Sequence, residues 1–240
     1  IDHSGLIPKL FRDGYRNDIY CTHGSRALAG ILLIDSARIQ EEEAEYANKK
    51  RYSKHNPALA LYSEMDALAS LALFHTKEFT ESFNVNGFKI QFYKAGHILG
   101  AASVLIEADG VRLLFSGDLG RRDDLLMEAP HKAVAADYVV IESTYGDRLH
   151  PVVDPLAEFK KLVEEIQHKR SVLLIPSFAV GRAQSIILLL HQLFKKYPKL
   201  KVPVYLNSPM AKQVTELYEK YSSDHKLTKA ESKEIFSSIK

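Results

Sequence analysis

Two glycine-flanked turns in the first half of the chain contain residue types that bind zinc in proteins. One turn, within residues 95–103, contains His97, and the other, within residues 115–120, contains Asp118. Alternating apolar runs on either side of the dipeptide at 109–110, Asp-Gly, predict that a tight β-hairpin joins the two turns. The turns should therefore meet at one end of a sheet, where an imidazole and a carboxylate come together.

A second Asp-His pair opens the sequence. Asp2 and His3 are followed by Ser4-Gly5 and by the apolar-periodic run that begins at Leu6. A pair of this kind at the start of a helix can present both side chains to one metal cluster. Asp2 and His3 are therefore further candidate metal ligands.

These segments resemble the motifs of a known family. Ile1-Asp2-His3-Ser4-Gly5 is similar to the tail of the H-x-H-x-D-H-x-G motif of metallo-β-lactamase-fold hydrolases. Residues 96–100 and 116–118 are similar to the third and fourth motifs of those hydrolases. Two more segments, 141–146 and 175–184, narrow the resemblance to the β-CASP branch, whose members are nucleases that process RNA and DNA.

The resemblance implies a pair of zinc ions and assigns a role to each matching residue. His97 would bind the first zinc, Asp2 and His3 the second, and Asp118 would bridge both. Asp2 and Glu142 would be the catalytic residues, with Glu142 close to the attacking water and the leaving group. The implied reaction is hydrolysis of an RNA phosphodiester by a metal-activated hydroxide.

The resemblance also predicts that the chain is an internal piece of a larger enzyme. Two histidines of the first motif, and later histidine motifs of the family, have no counterpart in the 240 residues. We therefore expect fewer than two tightly held zinc ions, and negligible nuclease activity, for residues 1–240 alone.

The segment 176–184 is a candidate contact for the RNA backbone. It passes from a short apolar run into a predicted helix N-terminus, where free amides and the helix dipole favour an anion. Ser177 and Arg182 are the candidate RNA-binding residues, and Ser208 is a weaker one. The alternative is an ordinary connection between a strand and a helix, in which Gly181 supplies flexibility and Ser177 caps the helix.

Periodicity and composition predict an α/β protein with a large core, since 46% of the residues are hydrophobic. Helices are predicted at residues 5–15, 25–47, 63–74, 155–168, 182–196 and 209–221. Strands are predicted at residues 18–21, 80–85, 89–94, 103–108, 111–116, 138–141, 172–175 and 202–206. We expect a partial metallo-β-lactamase αββα sandwich in residues 1–148. Part of a doubly wound, parallel-sheet β-CASP domain should follow in residues 149–240.

Charge and cysteine content limit the function further. A net charge of +2 gives no global basic field, so any RNA must be held by a local patch or by the metals. The segment 49–51, Lys-Lys-Arg, is either a solvated loop or such a patch. The single cysteine, Cys21, excludes a disulfide framework and is consistent with the cytoplasm. No apolar run is long enough to predict a membrane span.

The sequence thus predicts a zinc-dependent ribonuclease with single-stranded RNA as its partner. One alternative is a small-molecule metallo-hydrolase on the same fold, such as a thioesterase or a lactamase. Another is a non-catalytic, RNA-binding scaffold subunit of a nuclease assembly. The sequence does not decide whether the protein forms a homo-oligomer. His23 either lines the cleft or belongs to a helix cap.

Overall fold

The computed structural model describes residues 2–132, 134–149, 151, 153–237 and 239, with only the backbone of Asp2. The helices in these residues are α1 (Ile7–Arg12), α2 (His23–Lys50), α3 (Glu64–Ser70), α4 (Pro155–Lys169), α5 (Arg182–Lys196), α6 (Pro209–Lys220) and α7 (Lys229–Phe236). The strands are β1 (Ile19–Cys21), β2 (Phe74–Thr76), β3 (Ser82–Val85), β4 (Phe88–Lys94), β5 (Ala102–Ala108), β6 (Val111–Phe115) and β7 (Tyr138–Val140). The predicted mixed α/β class is therefore confirmed.

The main sheet has the strand order β3-β4-β5-β6-β7. Its strands pair antiparallel except that β7 runs parallel to β6, with Leu113 opposite Tyr138. The predicted hairpin is formed by β5 and β6, with Val104 opposite Phe115. Asp109 and Gly110 close it at φ values of 50° and 78°, and type I′ hairpin turns require positive φ at both central residues. The opposite end of this hairpin leads into the two glycine-flanked turns.

A smaller parallel sheet pairs β1 with β2. The predicted helix 63–74 ends at Ser70, and the chain passes through a short 3-10 helix into β2. Helical periodicity does not predict this change, because pairing with β1 is a tertiary contact that overrides local propensity. The start of α3 is encoded locally, since Ser63 and Asp66 form a reciprocal capping box.

Two predicted strands of the parallel sheet are not found. Among the described residues, the segments 172–175 and 202–206 pair with no strand. The side chains of Val172 and Leu174 are also exposed rather than buried. A short apolar run specifies a residue's preference for burial but not its hydrogen-bonding partner, and a strand requires both. In the described residues the second half of the chain is therefore mainly helical.

One hydrophobic core joins the two halves of the chain. Leu28 of α2 and Leu99 of the His97 turn belong to the same buried cluster as Val214 and Tyr218 of α6. The cluster also contains Phe236 of α7, a helix that the periodicity analysis missed. A sequence signal for α7 exists, because Thr-Lys-Ala-Glu at 228–231 forms a capping box. The boundary between residues 148 and 149 stays a prediction.

Within the described part of the chain, no helix combines the length and the apolar character that crossing a membrane requires.

Candidate metal centre

The turn that carries His97 is held against the N-terminus of α2. Gly100 has a φ of 74°, and a methyl group added to it would lie 2.2 Å from the backbone nitrogen of Ser25. The hydroxyls of Thr22 and Ser25 donate hydrogen bonds to the carbonyl oxygen of Gly100 at 2.7 and 3.0 Å. Only glycine allows so close an approach of two backbones, so this contact fixes the position of the turn.

The turn that carries Asp118 packs directly on the His97 turn. The amide of Gly120 donates to the carbonyl oxygen of Ala95 at 2.8 Å. A methyl group added to Gly120 would lie 1.8 Å from the carbonyl oxygen of Gly96, so the backbones touch here as well. The two turns therefore meet at one end of the β5–β6 hairpin, as the hairpin signal predicts.

Two imidazoles converge on the carboxylate of Asp118. The Nε2 atom of His3 lies 3.2 Å from Oδ2 of Asp118, and Nε2 of His97 lies 3.9 Å from the same oxygen. The side chains of all three residues are partly or largely exposed, at 76% for His3, 44% for His97 and 36% for Asp118. A metal ion could therefore reach these three side chains directly from solvent.

The donor chemistry of this group suits zinc, because imidazole nitrogens and a carboxylate oxygen are zinc ligands. Among the described side chains, however, no set of three or more His, Cys, Asp or Glu residues has the arrangement of a complete metal site. Asp2, the fourth predicted ligand, has a side chain outside the described ones. The assignment of His3, His97 and Asp118 as ligands therefore stays a prediction, and the structure shows only that these three residues come together.

Glu142 lies beside the Asp118 turn and is held by hydrogen bonds. Its Oε1 accepts from the amide of Leu119 at 3.2 Å, and its Oε2 accepts from the amide of Thr144 at 3.1 Å. Hydrogen bonds from the side chain and the backbone of Thr144, and then from Leu119, hold the pKa of Glu142 below its usual value. Glu142 is therefore a carboxylate at neutral pH, and its two oxygens accept hydrogen bonds.

Sequence reasoning missed Ser116, which connects Glu142 to the two turns. The Ser116 hydroxyl accepts from the amide of Glu142 at 3.0 Å and donates to the carbonyl oxygen of Gly117 at 2.7 Å. Ser103 of β5 in turn donates to the carbonyl oxygen of Ser116 at 2.6 Å. The sequence feature that could have identified Ser116 is its position directly before Gly117-Asp118 in the motif at residues 116–118.

A cavity of about 240 Å³ opens beside the three converging side chains. Its other walls include Tyr20, Cys21, Thr22, Phe92 and Ile98. Burial raises the pKa of the Cys21 thiol to about 11. Cys21 is therefore a neutral thiol at physiological pH, whereas a metal ligand would be a thiolate.

The predicted RNA contact at the start of α5 lies next to the His97 turn. Gly181 has a φ of 78°, and a methyl group added to it would lie 3.3 Å from Cγ2 of Ile98, the residue after His97. Arg182 follows and is exposed. Within the described residues its side chain has no hydrogen-bonding or ion-pair partner. Arg182 therefore offers an uncompensated cation one residue after the contact between Gly181 and Ile98.

The backbone donors at this helix start are largely occupied. The amide of Arg182 donates to Val180 at 2.9 Å, and the amide of Ala183 donates to Phe178 at 3.1 Å. The amide of Gly181 donates to the side chain of Gln184 at 2.8 Å. A phosphate here would therefore be bound by the Arg182 guanidinium rather than by free amides. The prediction that free amides at the helix N-terminus make this contact is wrong.

The two predicted serines differ in their surroundings. Ser177 is exposed and does not cap α5, because Gly181 occupies the N-cap position. Ser208 caps α6 by accepting a hydrogen bond from the amide of Ala211 at 3.1 Å. Their roles in RNA binding stay predictions.

His23 is not among the residues that line the cavity beside the three converging side chains. Its Nε2 lies 3.1 Å from Oε1 of Glu78, and it lines a second cavity together with Tyr221 and Asp224. Thr22, not His23, caps α2 by accepting a hydrogen bond from the amide of Ser25 at 3.2 Å. Of the two interpretations of this segment, the helix cap is the one that the structure shows.

Comparison with known proteins finds one matching family model and several proteins of similar sequence. The family model of the Beta-Casp domain matches residues 183–240. Ribonuclease TTHA0252 of Thermus thermophilus is 34% identical over 219 residues, which are 91% of this chain and 46% of that protein. Cleavage and polyadenylation specificity factor 73 of Drosophila melanogaster is 33% identical over 225 residues, covering 92% and 31%. Endoribonuclease ysh1 of Emericella nidulans is 30% identical over 226 residues, covering 92% and 24%.

The chain spans less than half the length of these relatives. The α/β fold, with His97 and Asp118 on adjoining turns, is that of a metallo-β-lactamase-like protein. Residues 183–240 match the Beta-Casp domain, and the chain is similar to the three relatives over more than nine tenths of its own length, as its motifs predict.

Proposed function

We propose that the protein is a zinc-dependent ribonuclease that cleaves single-stranded RNA. The observation that carries the proposal is the convergence of His3 and His97 on Oδ2 of Asp118 at the end of the β5–β6 hairpin. The names of the relatives, which are ribonucleases and a cleavage factor, support RNA as the substrate class.

Asp2, His3, His97 and Asp118 are the residues that would hold zinc in this proposal. When bound, zinc would supply a Lewis acid for the phosphoryl oxygens and lower the pKa of a water molecule. Asp118 would supply the negatively charged ligand, and the backbone contacts of the two turns would fix its carboxylate before substrate arrives.

Glu142 would orient the attacking water and accept its proton. Its lowered pKa keeps the carboxylate ionised, so Glu142 is not a general acid at neutral pH, although it is also a weaker base than an ordinary glutamate. The hydrogen bonds from Leu119 and Thr144 restrict the side chain to one orientation beside Asp118. Arg182, which follows the residue that contacts the His97 turn, would hold a neighbouring phosphate of the RNA.

Chelation should abolish RNA cleavage by the full-length protein, and added Zn²⁺ should restore it. The assay compares a labelled single-stranded RNA before and after dialysis against a chelator, with a thioester and a β-lactam as further substrates. Cleavage of the small molecules but not of RNA would instead establish the metallo-hydrolase alternative. RNA binding without any turnover in the zinc-loaded protein would instead establish the scaffold alternative.

Replacing Arg182 by alanine should weaken RNA binding equally for all sequences, because a phosphate contact carries no base information. The slope of log K against log salt concentration should decrease by about 0.7, the value for one phosphate contact on a single strand. The matched control is Arg170→Gly. It removes one exposed arginine at the C-terminal end of α4, at a φ of 52° that glycine accommodates. Identical salt slopes for the two variants would refute this contact.

A further inference from the structure

The C-terminal end of α2 carries cations that have no acidic partner. We name this surface the α2 tip and define it by the cations Lys49, Lys50, Arg51 and Lys54 and by the flanking tyrosines Tyr46 and Tyr52. All six residues are exposed, and none of the four cations forms an ion pair with any residue that the structure describes. By contrast, the lysines at 160, 161 and 169 on α4 each pair with a glutamate three or four residues away.

The two tyrosines present aromatic faces beside these cations. The rings of Tyr46 and Tyr52 lie 6.2 Å apart between centroids, and the residues are 56% and 64% exposed. The ammonium of Lys50 lies 5.8 Å from the centre of the Tyr46 ring. Cations next to exposed aromatic rings form the combination that binds single-stranded nucleic acid, because phosphates pair with the cations while bases stack on the rings.

The α2 tip is ordered by local hydrogen bonds. The side chain of Asn48 donates to the carbonyl oxygen of Ala58 at 2.9 Å and accepts from its amide at 2.7 Å. These two bonds fasten the loop that contains Arg51, Tyr52 and Lys54 onto the end of the helix. A surface that is already ordered loses little conformational entropy when it binds a ligand.

Arg51 occupies a position where helices usually have glycine. It ends α2 with a left-handed φ of 56°, a conformation that is unfavourable for a residue with a β-carbon. The arginine therefore gives the tip a cation without improving the stability of the helix end.

From these observations we propose that the α2 tip is an auxiliary binding site for single-stranded RNA. The choice of RNA over other polyanions rests on the proposed ribonuclease function. The 28 residues of α2 place the tip about 40 Å from the His97 turn at 1.5 Å per residue. A long RNA can therefore occupy the tip and the cleavage site at the same time, whereas a short oligonucleotide occupies only one of them.

The test measures binding of the full-length protein to oligouridines in a chelator, so that no cleavage is required. The variant Lys49→Ala/Lys50→Ala/Lys54→Ala should bind an oligomer of about 40 nucleotides at least about tenfold more weakly than wild type. The slope of its salt dependence should be smaller by about 2, for three lost phosphate contacts. An oligomer of about 6 nucleotides, which gains nothing from occupying both sites at once, should lose less affinity than the long one.

The matched control is Lys160→Ala/Lys161→Ala/Lys169→Ala, which removes the same charge from ion-paired positions on α4. It should keep wild-type affinity for the long oligomer. Equal affinities of the tip variant and the α4 control for that oligomer would overturn the proposal. So would a tip variant that loses affinity for vesicles of acidic phospholipid while its RNA affinity is unchanged.

The variant Arg51→Gly distinguishes the effect of the Arg51 charge on RNA binding from an effect on the stability of the fold. Glycine suits the left-handed backbone at this position, so the variant should be at least as stable as wild type and yet bind the long oligomer more weakly. Wild-type binding by Arg51→Gly would remove Arg51 from the site. The readout is independent of the metal centre, because absence of RNA cleavage in the zinc-loaded protein would refute the ribonuclease proposal without changing these affinities.

Discussion

Replacing Asp118 by asparagine should lower RNA cleavage by the full-length protein more than about a hundredfold. Loss of a group that only orients a metal ligand already costs about 10- to 100-fold, and Asp118 is the proposed bridging ligand itself. Asparagine has the same shape but no charge, so it cannot neutralise two cations, while the packing of the two turns is kept. The measurement is the single-turnover rate of cleavage of a labelled single-stranded RNA.

Asp109→Asn is the matched control for this variant. It makes the same chemical change at the opposite end of the β5–β6 hairpin, where Asp109 has a φ of 50°. Asn-Gly closes type I′ turns as well as Asp-Gly does, so the fold and the cleavage rate should be unchanged. A cleavage rate of Asp118→Asn equal to that of this control would remove Asp118 from the site.

Replacing Gly100 by alanine should lower the free energy of unfolding by about 2 to 5 kcal/mol. The left-handed backbone, at a φ of 74°, accounts for about 1 to 2 kcal/mol of this loss. Displacement of the α2 backbone accounts for a further 1 to 3 kcal/mol or so, because the new methyl group would lie 2.2 Å from the Ser25 nitrogen. Unfolding in urea, followed by circular dichroism, measures the change.

Gly110→Ala isolates the contribution of the close contact. Gly110 has a similar φ of 78°, but a methyl group there would meet no described atom within 4 Å. This variant should therefore lose only the conformational term of about 1 to 2 kcal/mol. If the two variants lost the same stability, the contact between the His97 turn and α2 would not be the constraint that we describe.

The sequence predicts those parts of the structure that depend on short-range signals. The β5–β6 hairpin follows from alternation around Asp109-Gly110, and the meeting of His97 with Asp118 follows from that hairpin. Their chemistry is recognisable because both residues sit in glycine-rich motifs at the hairpin's ends. The role of Glu142 is predicted only by the family resemblance of residues 141–146, because a glutamate that follows a short apolar strand is usually solvated.

Features that depend on a distant partner were not predictable. The segments 172–175 and 202–206 have the composition of strands, but among the described residues no neighbour pairs with them. The short strand β2 was missed for the opposite reason, because its pairing with β1 outweighs the helical pattern of its sequence. The sequence predicts that a helix starts at Arg182. It does not predict that turn carbonyls and the Gln184 side chain accept hydrogen bonds from the nearby amides.

Metal analysis of three dialysed proteins tests the central claim most directly. The proteins are the full-length wild type, Asp118→Asn and Asp109→Asn, each loaded with Zn²⁺, dialysed and measured by plasma mass spectrometry. The proposed centre predicts that wild type and Asp109→Asn retain the same amount of zinc and that Asp118→Asn loses it. Equal zinc contents in all three proteins would contradict the assignment of His3, His97 and Asp118 to a metal centre.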